Sequence, residues 1–260
     1  MALQLFDTHA HLNDNRLKGD ITGAIERAAS QGVDRIICVG FDIPSSRAAV
    51  DLASKYERVW AAVGVHPHDA KTLDDKALAE IETLARKPKV VAIGEIGLDF
   101  YRDLSPRPVQ EKAFRSQLTL AKELDLPVVI HDREAGSDLL RVIEEEESPP
   151  AGGVMHCFSE NLEFALRAIE LGFYIGIAGP VTFAKSYALR DIVGAIPMDR
   201  LLVETDAPYL TPEPYRGRKN NEPAFVRLVA EKVAEVKGMD FGEVARITSA
   251  NAARLFAITS

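Results

Sequence analysis

A chain of 260 residues with 47% hydrophobic and 27% charged residues has the composition of a soluble globular protein. Its formal net charge of −8 excludes a protein that binds nucleic acid over its whole surface. A nuclease stays possible, because a pair of divalent cations would add about four positive charges. With two cysteines, no signal peptide and no run of about 18 apolar residues, we expect a cytoplasmic protein without a membrane span.

Short apolar runs recur along the chain, and each is followed by an amphipathic stretch. The eight runs are centred near Leu5, Ile36, Ala61, Ala92, Val129, Val154, Ile175 and Leu202. Strands that alternate with helices at this spacing predict parallel βαβ units of the α/β class. Eight units favour a closed (β/α)8 TIM barrel over an open doubly wound sheet, and such a barrel takes about 250 residues. We therefore predict a single domain over residues 1–260.

The helices carry recognisable end signals. Asp240 and Glu243 resemble a capping box that opens a final helix. The seventh unit, residues 182–195, leaves room for only a short helix. Three glycines follow helical patterns where a left-handed residue ends a helix: Gly32, Gly172 and Gly238.

All six histidines fall where predicted strands end, and carboxylates follow the same rule. In a barrel of this class, function lies at the carboxyl ends of the strands. The side chains there that could bind metal are His9, His11, His66, His68, Glu95, His131, His156 and Asp206. This clustering predicts a metal centre.

The first strand supplies two neighbouring ligands. His9 and His11 are two residues apart, so on an extended strand they face the same side and can bind one ion. Asp7 shares that face and suits a supporting role, accepting a hydrogen bond from a liganding imidazole. Asp206 could bind the same ion and accept a proton from water as the general base.

The remaining groups predict a second ion. Glu95 has two oxygens and could bridge ions about 3.5–4 Å apart, with His131 and His156 completing the second site. Two such cations (Zn²⁺, Mn²⁺ or Mg²⁺) lower the pKa of a shared water and stabilise the developing oxyanion. His66 would polarise the substrate or assist the leaving group. The residues thus predict a two-metal hydrolase with Asp206, His66 and Glu95 in catalytic roles.

Other interpretations of single residues stay open. His66 could itself be a ligand or only form a hydrogen bond at the strand end, and Glu95 could pair with an arginine inside the barrel. His68 is equally compatible with a loop contact. Cys38 lies within an apolar strand, and Cys157 should face away from the preceding histidine, so we expect both thiols in the core.

Six motifs, in order, resemble the TatD family of metal-dependent deoxyribonucleases. They are DTHAHL at 7–12, GVHPH at 64–68, GEIGLDFYR at 94–102, HDREA at 131–135, HCFS at 156–159 and ETDAPYL at 204–210. The resemblance continues to the NAARLF segment at 251–256, so it covers nearly the whole chain. Two departures from the family pattern are Glu160, where glycine is usual, and one additional residue within 218–222.

The resemblance implies a barrel that cleaves phosphodiester bonds in DNA, often as a 3′ exonuclease. Nucleic acid, in the form of a single-stranded DNA end, is then the expected substrate, and no protein partner is implied. The implied metal ligands are His9, His11, Glu95, His131, His156 and Asp206, with His66 near the scissile group. The implied phosphate contacts are Arg102, Arg133, Arg216, Arg218 and Lys219.

The residues themselves give some support to those phosphate contacts. The loop 215–219 is a basic cluster in an acidic protein and directly follows the eighth strand, where phosphate sites often lie. A solvated charged turn is the alternative for Arg218 and Lys219.

Two other functions remain compatible with the residues. One is an amidohydrolase-like metal-dependent hydrolase that acts on a small ester, amide or cyclic substrate. Many barrels of that wider superfamily use a carboxylated lysine after the fourth strand, and Glu95 at this position favours the TatD branch. The other is a metal-binding protein without catalytic activity.

Overall fold

A computed structural model describes residues 4–258, and its eight parallel strands form one sheet in chain order. The strands are β1 Leu5–Ala10, β2 Val33–Val39, β3 Val59–Val63, β4 Val90–Asp99, β5 Val128–Arg133, β6 Gly153–Met155, β7 Phe173–Ile177 and β8 Leu201–Val203. This arrangement confirms the predicted TIM barrel. The predicted domain over 1–260 includes residues 1–3 and 259–260, which lie outside the described residues, and it stays a prediction.

A helix follows each strand, and two follow the last. They are α1 Ile21–Ser30, α2 Ile43–Lys55, α3 Asp75–Ala85, α4 Arg107–Leu124, α5 Gly136–Glu145, α6 Leu162–Glu170, α7 Tyr187–Ala195, α8 Val226–Lys237 and α9 Phe241–Leu255. Short 3₁₀ helices span Pro67–Thr72, Gly179–Thr182, Met198–Arg200 and Pro223–Phe225. The short α7 was predicted, as was the cap of α9, where the Asp240 side chain accepts from the Glu243 N–H.

The barrel interior is apolar, and its lower end is covered. One cluster includes residues from all eight strands: Phe6, Ile37, Ala62, Ala92, Val129, Val154, Tyr174 and Leu202. Leu255 and Phe256, at the end of α9, pack against this cluster. The Asn251 side chain of α9 donates to the carbonyls of Met198 and Leu201, at the start of β8. Helix α9 therefore covers the amino-terminal end of the barrel, which leaves the carboxyl end for the site.

The barrel closes between the segments that follow β1 and β8. The Asp206 N–H donates to the His9 carbonyl (2.8 Å), and the His11 N–H donates to the Ala207 carbonyl (2.6 Å). These bonds belong to the predicted ligand segments themselves. Closure of the barrel therefore brings the first and last motifs of the chain together.

Asp7 supports this junction from below. Its Oδ1 accepts from the backbone N–H of Thr205 (2.9 Å), and its Oδ2 accepts from the Thr205 hydroxyl (2.6 Å). Burial raises the pKa of Asp7 to about 8, although these hydrogen bonds act in the opposite direction. Its third bond is to the backbone N–H of His9 rather than to an imidazole ring, so the predicted support of a liganding ring is wrong.

Within residues 4–258, no helix combines the length and the apolar character needed to cross a membrane.

Candidate metal centre

His66 and the predicted ligands come from six segments and meet at the carboxyl end of the barrel. Among these side chains, three sets each bring three ligand atoms within 4.8 Å of one another. The sets are His9–His11–Asp206, His9–Glu95–His156 and His66–Glu95–His131. The sets share His9 and Glu95, so they form one continuous cluster rather than separate sites.

The first set joins β1 to the segment after β8. The Nε2 atoms of His9 and His11 are 3.2 Å apart, as expected for two side chains on one face of a strand. Asp206 Oδ1 lies 3.4 Å from His11 Nε2 and 3.9 Å from His9 Nε2. Because His11 Nδ1 donates to the Val39 carbonyl (2.9 Å), its Nε2 can offer a lone pair to a cation.

Glu95 lies between the two halves of the cluster. Its Oε2 is 3.6 Å from His9 Nε2 and 3.7 Å from His11 Nε2. Its Oε1 is 2.9 Å from His131 Nδ1 and 3.5 Å from His66 Nε2. All ion-pair partners of Glu95 in the described residues are histidines, which argues against the alternative of an arginine partner. One carboxylate oxygen therefore faces each half.

Asp99 is a functional neighbour that the sequence prediction missed. It is buried, and its Oδ2 lies 3.1 Å from His131 Nε2 and 2.8 Å from His68 Nε2. Strand β4 continues past Glu95 to Asp99, and their even spacing puts both carboxylates on one face. The four-residue spacing between Glu95 and Asp99 could therefore have identified Asp99 from the sequence. His68, left open by the sequence, is thus a neighbour of a ligand's supporting carboxylate.

Glu204 holds His156 in a similar way and was also missed. Its Oε1 lies 2.8 Å from His156 Nδ1 and accepts from the backbone N–H of Cys157 (2.5 Å). Burial alone would lower the pKa of His156, but the charge and contact of Glu204 raise it to about 10. His156 Nε2 faces the cluster, 3.9 Å from Glu95 Oε1. Glu204 is therefore the carboxylate that orients this imidazole.

We expect Glu204→Gln to weaken metal binding about 10–100-fold, the usual effect of changing a carboxylate that orients a liganding histidine. The neutral amide of glutamine would face His156 Nδ1 with less negative charge than the carboxylate of Glu204, and it would therefore orient the imidazole less strongly. Titration of the metal-free protein with Zn²⁺ or Mn²⁺ by calorimetry measures the change. Glu163→Gln, on the exposed surface of α6, is the control. Equal affinities in the two variants would contradict the role of Glu204.

The prediction that Cys157 lies in the core is wrong. Strand β6 ends at Met155, and Cys157 has a φ of 46°, so the alternation of a strand no longer applies to it. Its side chain is only partly buried and groups with His156 and Asp206, with ligand atoms within 4.8 Å. Cys38, by contrast, is buried in β2 as predicted.

The acid side chains of the cluster are ionised, as ligands must be. Burial raises the pKa of Glu95, but the surrounding imidazoles, His66 first and then His131 and His9, bring it well below its usual value. The pKa of Asp206 is also lowered: burial opposes ionisation, but the contact with His11, followed by the neighbouring His156 and His9, together outweigh it. Anionic oxygens and imidazole nitrogens together form a donor set suited to divalent transition metals. The residues therefore fit the predicted cations.

The predicted phosphate contacts are exposed, and they lie at the end of β5 or in the segments that follow β4 and β8. Three of the arginines lie over aromatic rings. The distances from guanidinium carbon to ring centroid are 3.9 Å for Arg133 on Tyr101, 4.0 Å for Arg216 on Phe183 and 4.5 Å for Arg218 on Tyr215. Arg102 and Lys219 are exposed as well. Among residues 4–258, no carboxylate oxygen within 4.0 Å offsets the charge of these five side chains.

Glu160, the departure from the family pattern, contacts the start of α5. A Cβ added at Gly136 would lie 3.1 Å from the Glu160 carboxylate. Burial, and then the charge of Glu160, raise the pKa of Asp132 to about 7. Glu160 therefore adds negative charge beside the segment that carries His131.

Comparisons with known proteins match TatD-related proteins over nearly the whole chain. The family model described as TatD related DNase matches residues 6–257. An uncharacterized metal-dependent hydrolase of Bacillus subtilis, YabD, is 47% identical over 254 residues, which cover 98% of this chain and 99% of that protein. A Cronobacter sakazakii protein named 3′-5′ ssDNA/RNA exonuclease TatD is 39% identical, with 97% of each chain covered. The crystal structure of YjjV, a TatD homologue from Escherichia coli K12, has a TM-score of 0.94 at 32% identity, with full coverage of both chains.

Proposed function

The chain belongs to the TatD-related DNase family of metal-dependent hydrolases, and we propose that it is a 3′-5′ exonuclease on single-stranded DNA that uses two divalent metal ions. The observation that carries this proposal is the position of Glu95, with one carboxylate oxygen toward each half of the histidine cluster. Two-metal sites hold their ions about 3.5–4 Å apart, a separation that one carboxylate can bridge. The relative named as a 3′-5′ ssDNA/RNA exonuclease supports the choice of substrate.

The cluster divides into two sites under this proposal. His9, His11 and Asp206 would hold one cation, while His131 and His156 would hold the other. Glu95 would bind both. When bound, the cations supply Lewis acidity that lowers the pKa of water and neutralises charge developing on the phosphate. Zn²⁺, Mn²⁺ and Mg²⁺ are all compatible with this chemistry, because cellular availability decides the metal as much as ligand type.

Asp206 accepts the proton of the attacking water. Its carboxylate is ionised and about 14% exposed, so it borders both the cluster and the opening. Asp206 has a φ of 56°, a backbone conformation that aspartate tolerates and that turns the chain sharply after β8. A neighbouring ionised carboxylate at this position is suited to general base catalysis.

His66 donates a hydrogen bond to the leaving oxygen. Its Nδ1 accepts from the backbone N–H of His68 (3.1 Å), so the proton of the neutral ring is on Nε2. Burial and the charge of His131 lower the pKa of His66 well below its usual value, which keeps the ring neutral. A ring with its proton on Nε2 is a donor rather than a metal ligand, and this favours the substrate role over the ligand role.

The exposed arginine and lysine side chains around the cluster contact the phosphates of the DNA strand. Their charges are not offset by nearby carboxylates in the described residues, so they can attract an anionic substrate despite the net charge of −8. The residues in this role are Arg102, Arg133, Arg216, Arg218 and Lys219.

The test is a cleavage assay on labelled single-stranded DNA. Protein loaded with Mg²⁺, Mn²⁺ or Zn²⁺ should shorten a 5′-labelled oligonucleotide one nucleotide at a time from its 3′ end. A circular single strand should stay intact, and EDTA should stop the reaction. Absence of shortening with all three metals, together with turnover of a lactone, ester or amide, would assign the barrel to small-molecule amidohydrolase chemistry instead.

A further inference from the structure

Tyr209 is a large aromatic side chain on the rim of the metal centre. It follows Asp206 by three residues, and its backbone N–H donates to the Asp206 carbonyl (2.8 Å). Its ring centroid lies 6.0 Å from that of His11, in an edge-on arrangement. The side chain is nevertheless 44% exposed. The ring therefore extends from the first ligand set to the exposed surface.

Arg16, from the loop after β1, covers this ring. Its guanidinium carbon lies 3.9 Å from the ring centroid of Tyr209. Asp14 holds the pair in place: it accepts from the Arg16 backbone N–H (2.8 Å), from Arg16 Nε (3.1 Å) and from the Tyr209 hydroxyl (3.2 Å). We name this group of three residues, in which Arg16 lies over the Tyr209 ring and Asp14 hydrogen-bonds to both, the rim platform.

The charge of Arg16 indicates a role different from that of the arginines predicted to contact phosphate. Asp14 offsets the positive charge of Arg16, whereas no carboxylate in residues 4–258 lies within 4.0 Å of Arg133. A neutralised guanidinium attracts a phosphate weakly, but its flat surface still stacks well on a nucleobase. With 34% of its side chain exposed, Arg16 keeps surface available for such a partner.

We propose that the rim platform of Asp14, Arg16 and Tyr209 stacks the nucleobase next to the scissile phosphate. This inference rests on the proposed exonuclease function and adds a subsite that recognises the base. Stacking needs no base-specific hydrogen bonds, so the subsite accepts all four bases and rejects an abasic end. It also favours single strands, whose end bases are free to leave their neighbours.

The test compares two 3′ ends. One oligonucleotide carries normal nucleotides, and the other carries tetrahydrofuran abasic residues at its last two positions. For the wild type we expect kcat/KM to be about 10–100-fold higher on the normal end, the range usual for one stacked base. Tyr209→Ala should bring this ratio close to one, while Tyr209→Phe should keep most of it. Arg16→Ala changes an exposed side chain, and this single substitution should also lower the ratio of kcat/KM on the normal end to kcat/KM on the abasic end.

A matched control lies at the opposite end of the barrel. Lys55 lies over the ring of Tyr56, with its Nζ 5.2 Å from the ring centroid, between α2 and the start of β3. Tyr56→Ala should keep the wild-type ratio. If the Tyr209 and Arg16 variants slow both substrates equally, the platform is only structural and the inference is overturned. Equal wild-type rates on both ends would also overturn it. If no oligonucleotide is cleaved under any condition, the proposed exonuclease function fails, and the subsite fails with it.

Discussion

Asp206→Asn should lower kcat for hydrolysis by about 10²–10⁴-fold, the usual contribution of a general base. Asparagine keeps the shape of the side chain and one oxygen toward His9 and His11, but its amide cannot accept a proton. The barrel junction should persist, because it uses the backbone N–H of Asp206 rather than its side chain. Single-turnover rates on the labelled oligonucleotide measure the effect, and thermal unfolding checks the fold.

Asp199→Asn is the matched control, because Asp199 is exposed beside the amino-terminal end of the barrel. It should retain wild-type rates. If Asp206→Asn keeps activity within about tenfold of the wild type, a different group accepts the proton.

Glu95→Gln should remove both metal binding and activity. The buried side chain of Glu95 lies among five imidazoles, and its negative charge is shared between both halves of the cluster. Because changing an outer carboxylate already costs about 10–100-fold in metal affinity, the loss of this direct bridge should exceed 100-fold. Elemental analysis after metal soaking and gel filtration should find less than one ion per chain.

Glu123→Gln, exposed on α4, is the control for the Glu95 variant and should bind metal as the wild type does. Two ions retained by Glu95→Gln would contradict the bridging role. Circular dichroism of the metal-free proteins distinguishes lost binding from lost folding, since glutamine preserves the volume of the side chain.

The barrel could be predicted because its signal is periodic. Each apolar run coincides with a strand, and the predicted ligands follow from the rule that strand ends carry function. The supporting carboxylates Asp99 and Glu204 depend on details that the rule does not contain. Strand β4 extends four residues beyond Glu95, whereas β8 ends at Val203, three residues before Asp206. Such differences in strand length decide which side chain reaches which imidazole.

The roles of the exposed arginines could not be fully predicted from the sequence either. Their residue types predict contact with phosphate, but the sequence does not indicate that Arg16 is neutralised by Asp14 while Arg133 is not. Arg16 stacks on a ring from the other end of the chain, and only the closed barrel brings the two together. Pairings of this kind follow from topology rather than from local pattern.

The junction between β1 and β8 has a thermodynamic consequence. Since the backbone bonds that close the barrel come from His9, His11, Asp206 and Ala207, opening this junction would separate the ligands of the proposed first cation site. Cations that bind only the closed barrel therefore hold the two ends of the chain together. By mass action, free metal at 100 times its dissociation constant adds about 2.7 kcal/mol to the free energy of unfolding. The cations proposed for catalysis would then also stabilise the closed barrel.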